Sequence, residues 1–130
     1  MSSLLTWFIG TAVQDAAAFT FTYFKQTNVD VANSLANKPQ MYIAETGWPT
    51  LSSKASTQTN PGTEASVPNL QTYITNFVCA ANTNRVKYFF FEFTDTPWKE
   101  RLYPVVEGFW GLFNINKTLK ALTLPDCSHD

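Results

Sequence analysis

The sequence predicts an α/β protein with a parallel sheet, and three features carry this prediction. "MYIA" at 41–44 and "VKYFFFEF" at 86–93 are short apolar runs, typical of strands buried on both faces. A stretch with helical periodicity lies between them, and another precedes the first run. The order helix, strand, helix, strand therefore indicates two βα units joined by a right-handed crossover.

The first predicted helix follows Gly10. Thr11 and Gln14 have the T-x-x-Q spacing of a capping box, and residues 14–26 are rich in Ala and aromatics without a helix breaker. The helical pattern continues or restarts over 29–37, and Pro39 ends it because a proline disfavours helical backbone in the residue before it.

A loop, a second helix and a closing segment make up the rest of the chain. Residues 51–67 are rich in Ser, Thr, Asn, Gly and Pro and have no apolar periodicity, which indicates a loop. Pro68 suits the first turn of a helix, whose apolar positions recur as Val67, Leu70, Ile74, Phe77, Val78 and Ala81. The aromatic, turn-rich segment at 107–127 is expected to end in a short helix.

Composition excludes several classes of protein. The 130 residues carry nine basic and ten acidic side chains, with no Lys/Arg cluster along a predicted helix, so we expect no nucleic-acid partner. No apolar run approaches the roughly 20 residues of a membrane-spanning helix. "MSSLLTWFIG" lacks the charged region, apolar core and cleavage site of a signal peptide. One His and two distant Cys predict no metal site.

The two cysteines leave two interpretations open. Cys79 and Cys127 are far apart in the chain. They are either free buried thiols or one disulfide that ties the end of the chain to a helix in an oxidising compartment.

Carboxylates end both predicted strands. Glu45 follows the first, and Glu92 and Asp95 end the second, with Trp7, Trp48 and Trp98 near them. The strand ends of α/β folds are where ligands bind, sugar rings stack on aromatic faces, and glycosidic bond cleavage uses a pair of carboxylates. The alternative is ordinary surface acids that are solvated or paired with Lys38, Lys99 or Arg101.

"YIAETGWPT", residues 42–50, resembles the nucleophile signature of glycoside hydrolase family 17, the β-1,3-glucanases and β-1,3-glucan transglycosylases. Four further stretches resemble the C-terminal half of fungal members, in the same order: "ASVPNLQTYITNFVCAAN", "YFFFEFTDTPWK", "GFWGLF" and "LPDC". The resemblance thus covers nearly the whole chain.

The resemblance implies a (β/α)₈ barrel, of which this chain would hold about strands six to eight. Such barrels typically need about 250 residues. Residues 1–130 are therefore expected to be a partial glycoside hydrolase catalytic domain. Its partners would be a β-glucan and either the missing N-terminal half of the barrel or a second copy. The resemblance also implies a secreted or cell-wall protein.

The resemblance also assigns roles to residues. Glu45 would be the nucleophile of a retaining mechanism that needs no cofactor, and the substrate would be bound by Trp7, Trp48, Glu92, Asp95, Trp98 and Lys99. The proton donor would lie in a "GNE"-like motif, which this sequence lacks. Thr96 stands where members have an acid, and Leu5 and Thr6 stand where related enzymes often have Tyr or His and then Pro.

Two modifications and two alternatives complete the expectations. The matching family cysteines favour a disulfide between Cys79 and Cys127, and Asn116 begins a glycosylation sequon. Because general acid assistance is typically worth about 10² to 10⁴ in rate, a chain without the donor could be an inactive, truncated piece of an enzyme. It could also be a glucan-binding protein without catalysis.

Overall fold

A computed structural model describes residues 2–3, 6–53, 61–103 and 106–128 of the protein. Its three strands form one parallel sheet in the order β1, β2, β3, which confirms the α/β prediction. The strands are β1 (Ser2–Ser3), β2 (Ile43–Thr46) and β3 (Tyr88–Phe90). The helices are α1 (Val13–Phe24), α2 (Asp30–Ser34) and α3 (Val67–Thr83), with 3₁₀ turns at Thr6–Ile9 and Pro97–Arg101.

Strand β2 is central and pairs with both neighbours. Ser3 aligns with Glu45 on one side, and Ile43 aligns with Tyr88 on the other. Because all three strands run in the same direction, the segments that follow β2 and β3 leave the sheet at one edge. That edge, the carboxyl edge, carries the predicted site residues.

Strands β2 and β3 do not begin and end at the residues predicted from the sequence. Strand β2 runs to Thr46, so Glu45 lies inside the strand. Strand β3 stops at Phe90, and from Glu92 on the chain bonds to the closing segment instead of to β2. The Glu92 amide donates to the Trp110 carbonyl at 3.1 Å, and the Phe113 amide donates to the Phe93 carbonyl at 2.9 Å.

Helix α1 begins without the predicted capping box. Its N-cap is Ala12, which makes no side-chain cap, and the Val13 amide instead donates to the Gly62 carbonyl at 2.8 Å. A tertiary contact thus replaces the local cap. A π-helical turn at Lys25–Val29 joins α1 to α2, and the helical segment ends at Ser34, before Pro39.

Helix α3 follows the predicted pattern. The Ser66 hydroxyl caps it by accepting from the Asn69 amide at 3.2 Å, and Pro68 lies in its first turn. Its buried face packs on α1 and on the sheet through aromatic rings, since Phe77 lies 5.0 Å from Phe21 of α1 and 4.9 Å from Tyr88 of β3 between ring centroids.

The closing segment is irregular over 106–128, so the expected short helix there is wrong. Turn chemistry explains the difference: the Asn116 side chain accepts from the Thr118 amide, a local bond that competes with helix formation, and Lys117 has a φ of 65°. A disulfide between Cys79 and Cys127 fastens the end of this segment to α3, which confirms the predicted link.

Candidate active site

Glu45 lies on the central strand at the carboxyl edge of the sheet. It is half-buried, while the next four residues, Thr46 to Pro49, are buried. The Thr46 hydroxyl is hydrogen-bonded to the Tyr73 hydroxyl of α3, which fixes the strand next to Glu45 against the helix layer. The carboxylate is therefore held on a packed, central element instead of a loop.

Strand β2 ends at Thr46, and the next residue has to be a glycine. A Cβ on Gly47 would lie 2.1 Å from the Phe91 carbonyl oxygen, so no side chain fits there. The close approach brings the end of β2 against the segment after β3, where the Phe91 amide donates to the Thr46 carbonyl at 2.8 Å. Glu45 and Glu92 consequently belong to adjoining segments.

Glu92 is paired with Lys99. The two Glu92 carboxylate oxygens lie 3.1 and 2.9 Å from the Lys99 ammonium, and the Thr96 hydroxyl donates to Glu92 Oε1 at 2.9 Å. Both charged side chains are less than a fifth exposed. The salt bridge that the sequence left as an alternative is therefore present for Glu92, and it places Lys99 at the carboxyl edge.

Asp95 has a different partner, which the sequence did not predict. Its Oδ1 accepts from the Lys120 ammonium at 2.7 Å and from the Gly111 amide at 3.0 Å. Lys120 also donates to the Thr50 hydroxyl at 2.6 Å and is only 5% exposed in its side chain. Lys120 thus joins the segment after β2 to the segment after β3. Only the fold could show this, because 70 residues separate Thr50 from Lys120.

Glu107 is a further carboxylate that the sequence analysis missed. Burial raises the pKa of its carboxyl, Lys99 opposes this, and the negative charges of Glu100, Glu92 and Glu45 raise the pKa further. Glu107 therefore lies within electrostatic reach of Glu45. The only sequence signal was its place directly before "GFWGLF".

Trp7 and Trp48 are too deeply buried to serve as sugar platforms. They are 3% and 0% exposed, so protein covers both ring faces. The Trp7 indole donates to the Thr63 carbonyl at 2.9 Å and the Trp48 indole to the Glu64 carbonyl at 3.0 Å. This corrects the expected role in substrate binding: both indoles anchor the segment that leads into α3.

Trp98 has the exposure that a sugar platform needs. It lies in the 3₁₀ turn after β3 and is 59% exposed. Together with Pro97 and Ile115 it lines a shallow groove of about 470 Å³, whose polar members include Asp95 and Arg101. An aromatic face beside hydrogen-bonding groups is the composition of a carbohydrate subsite.

The remaining expectations concern positions outside this cluster. Asn116 is exposed in a turn of the closing segment. Leu5 lies outside the described residues, while Thr6 is buried and its hydroxyl has no hydrogen-bond partner in the described part of the chain.

The described residues contain no group of three or more His, Cys, Asp or Glu that could hold a metal ion. None of the described helices is both long and apolar enough to cross a bilayer.

Comparison with protein families gives a match over residues 1–111 to the BtgE/BtgC glycoside hydrolase domain. Curated relatives include the probable glucan endo-1,3-beta-glucosidase btgC of Aspergillus oryzae and the glucan endo-1,3-beta-glucosidase btgC of Emericella nidulans. Each is 31% identical over 98% of this chain. The chain spans only 20% and 21% of their lengths.

The solved structures that share the fold include the following two. One is a glycoside hydrolase family 17 beta-1,3-glucanosyltransferase from Rhizomucor miehei, with a TM-score of 0.75. The other is an active-site mutant of the Rhizomucor miehei enzyme in complex with laminaritriose, with a TM-score of 0.77. Each is 21% identical in sequence and matches 96% of this chain. The matched part covers 42% of the length of each solved chain. The chain therefore has the fold of part of a (β/α)₈ barrel.

Proposed function

Because this chain belongs to the BtgE/BtgC glycoside hydrolase domain family, we propose that it carries the nucleophile side of a retaining β-1,3-glucan-active site. Glu45 is the nucleophile. It attacks the anomeric carbon, and the glycosyl intermediate passes to water or to the hydroxyl of another glucan. In this proposal, residues 1–130 are the part of a catalytic domain that holds about strands six to eight of the barrel.

The observation that carries the proposal is the position of Glu45. It is a half-buried carboxylate on the central strand of a parallel sheet, at the edge where Glu92, Lys99 and Glu107 also lie. Lys99 offsets part of the negative charge that these acids concentrate. A carboxylate held in place on a packed, central strand is the nucleophile that this chemistry requires.

The proton donor is the missing part of this site. The resemblance places it in a motif that the 130 residues do not contain, so the proposed site holds the nucleophile without its general acid. An activated substrate with a good leaving group does not need protonation, whereas laminarin does. We therefore expect covalent labelling of Glu45 by an activated sugar and little release of sugar from laminarin.

The test is intact mass spectrometry of the chain after incubation with a 2-fluoro β-glucosyl inactivator, with a reducing-end assay on laminarin in parallel. One sugar added per chain, mapped by peptide analysis to Glu45 and absent from Glu45→Gln, supports the proposal. Asp15→Asn, an exposed acid on α1, is the matched control and should label like the parent. Absence of label from a folded parent chain rejects the proposal that this chain by itself carries a working nucleophile.

A second candidate function is glucan binding without catalysis, which the exposed Trp98 groove favours. Ring stacking on Trp98 does not need Glu45. Laminarin binding that survives Glu45→Gln and falls in Trp98→Ala would assign this function. A folded chain that shows neither binding nor labelling would be an inactive piece of an enzyme.

The proposed setting is the fungal cell wall or the medium. The Cys79–Cys127 disulfide supports an oxidising compartment. The proposed partners are a β-glucan and the remainder of the barrel, supplied by another part of the protein or by self-association.

A further inference from the structure

A cavity of about 600 Å³ opens at the end of the sheet opposite the carboxyl edge. Its residues come from the C-terminal part of α1, from the π-helical turn and α2, and from the segments that lead into β2 and β3. We call it the basic-end cavity. Because it lies at the amino ends of the strands, it shares no lining residue with the candidate active site.

The floor of the basic-end cavity is apolar. Phe24 and Ala32 are 3% and 4% exposed and lie beneath it. The partly exposed apolar side chains of the lining are Phe21, Val29, Met41 and Val86. The π-helical turn Lys25–Val29 joins α1 to α2 and also lines the cavity. A volume of this size with such a lining is in the range of small-molecule sites.

The lining also carries a concentrated positive charge. Four of the nine basic residues of the chain lie there: Lys25, Lys38, Arg85 and Lys87. None of the described lining residues is a carboxylate. Asp30, beside the cavity, bonds Lys25 at 2.7 and 2.8 Å, and Lys87 is held by Gln40 at 3.0 Å. Lys38 and Arg85 remain the cations best placed to meet a ligand.

The backbone fixes these two cations in the loops that lead into the strands. Lys38 has a φ of 39° and Arg85 a φ of 54°, both in the left-handed region that residues other than glycine seldom adopt. Lys38 lies in the segment that leads into β2, and Arg85 lies in the segment that leads into β3. The four cations of the lining outnumber the one neighbouring carboxylate, Asp30, so this end of the sheet is positively charged. The chain as a whole has a formal charge of −1.

We propose that the basic-end cavity binds a free amphipathic organic anion, with its apolar body against the partly exposed apolar lining and its carboxylate or phosphate head between Lys38 and Arg85. The apolar body gains from leaving water, and the head gains from cations that no lining carboxylate offsets. Neither group alone suffices: an alcohol of equal length lacks the charge, and inorganic phosphate lacks the body.

The test is isothermal titration calorimetry of the chain with octyl phosphate, octanoate and 1-octanol below micelle-forming concentrations. We expect saturable binding of one octyl phosphate per chain, at least about tenfold tighter than 1-octanol, and weaker in about 0.3 M than in about 0.05 M NaCl. Equal affinity for octyl phosphate and 1-octanol, or no saturable binding, overturns the proposal.

Substitution of Lys38 and Arg85 tests whether the head group binds between them. Asn tolerates a left-handed backbone, so the double change Lys38→Asn with Arg85→Asn removes both charges without adding strain. It should weaken octyl phosphate binding at least about tenfold with an unchanged far-ultraviolet circular dichroism spectrum. Lys117→Asn is the matched control, because Lys117 is exposed, has a φ of 65° and lies in the closing segment.

Unchanged binding in the folded double variant overturns the proposal. If the double variant does not fold, the comparison of octyl phosphate with 1-octanol on the parent chain decides. Sedimentation with phosphatidic acid vesicles tests whether the phosphate head group belongs to a membrane lipid instead of a free ligand. Vesicle binding without binding of free octyl phosphate would contradict a cavity ligand.

Discussion

Glu92 and Asp95 follow the same strand, and each bonds a different lysine. Glu92 pairs with Lys99 at the carboxyl edge, where the pair remains about one-sixth to one-fifth exposed. Asp95 pairs with Lys120, whose side chain is 5% exposed, and also accepts from a backbone amide. The first pair can meet a substrate, whereas the second mainly holds two segments together.

Loss of Lys120 should therefore destabilise the fold. Lys120→Met removes the partner of the partly buried Asp95 carboxylate and is expected to lower the free energy of unfolding by about 3 kcal/mol. Urea denaturation measures this. Lys117→Met, an exposed neighbour in the same segment, should change the value by less than about 0.5 kcal/mol. Equal effects of the two changes would show that the pair of Asp95 and Lys120 contributes nothing specific to stability.

Glu107 should make stability depend on pH. Its pKa is raised in the folded protein, so the unfolded chain ionises first as pH rises above about 4.3, and folding loses stability from there through the higher folded pKa. Glu107→Gln removes this loss. We expect the urea midpoint of the variant to gain on that of the parent between about pH 4 and pH 7. Midpoints that run parallel across this range would contradict the expected coupling.

At the scale of elements, α3 organises the chain. Ser66 caps its start, its aromatic face packs on α1 and the sheet, and Cys79 near its end holds the closing segment. The Gln71 side chain adds two hydrogen bonds to the backbone of Thr123, at 3.0 and 2.7 Å. The closing segment, which supplies Lys120 and Gly111 to the carboxyl edge, thus depends on α3.

The disulfide should contribute strongly to this arrangement. It links residues 48 positions apart, and a constraint of that length on the unfolded chain is worth roughly 4 kcal/mol in the entropic account. Cys79→Ala with Cys127→Ala should lower the free energy of unfolding by about 2–5 kcal/mol. Ser128→Ala, beside Cys127 and exposed, is the control and should be neutral in the same urea titration. A neutral double variant would mean that hydrogen bonds alone hold the segment.

At the scale of the whole molecule, the sheet is open. Strands β1 and β3 each pair on one side only in the described part of the chain. Tyr88 and Phe90 pack on the rings of α3, whereas Phe89 between them is 59% exposed. Exposed apolar rings on a sheet with unpaired edges favour association with another chain.

The purified chain should therefore associate as its concentration rises. Phe89→Lys places a charge on the exposed face of β3 and should shift sedimentation velocity profiles towards the monomer. Ile115→Lys is the control, since Ile115 is 68% exposed but lies in the closing segment. A monomeric parent chain at all concentrations would contradict the expected association.

Local signals predicted much of this architecture. The apolar runs located β2 and β3 within about two residues at their starts, and Pro68 located the start of α3. The T-x-x-Q pattern misled, because Val13 found its partner in Gly62, far along the chain. For the candidate site, the signature predicted Glu45 at the carboxyl edge, but it could not separate Trp98, which is exposed, from Trp7 and Trp48, which are buried.

The sequence by itself determined the parallel α/β order, the place of Glu45 on its strand and the glycoside hydrolase family, because these depend on periodicity and on contiguous motifs. The tertiary structure alone decided the partner of Asp95, the position of Glu107 near Glu45 and the grouping of four cations around the basic-end cavity. Each of those joins residues far apart in the chain, and no local pattern encodes which distant side chains the packing of helices on a sheet brings together.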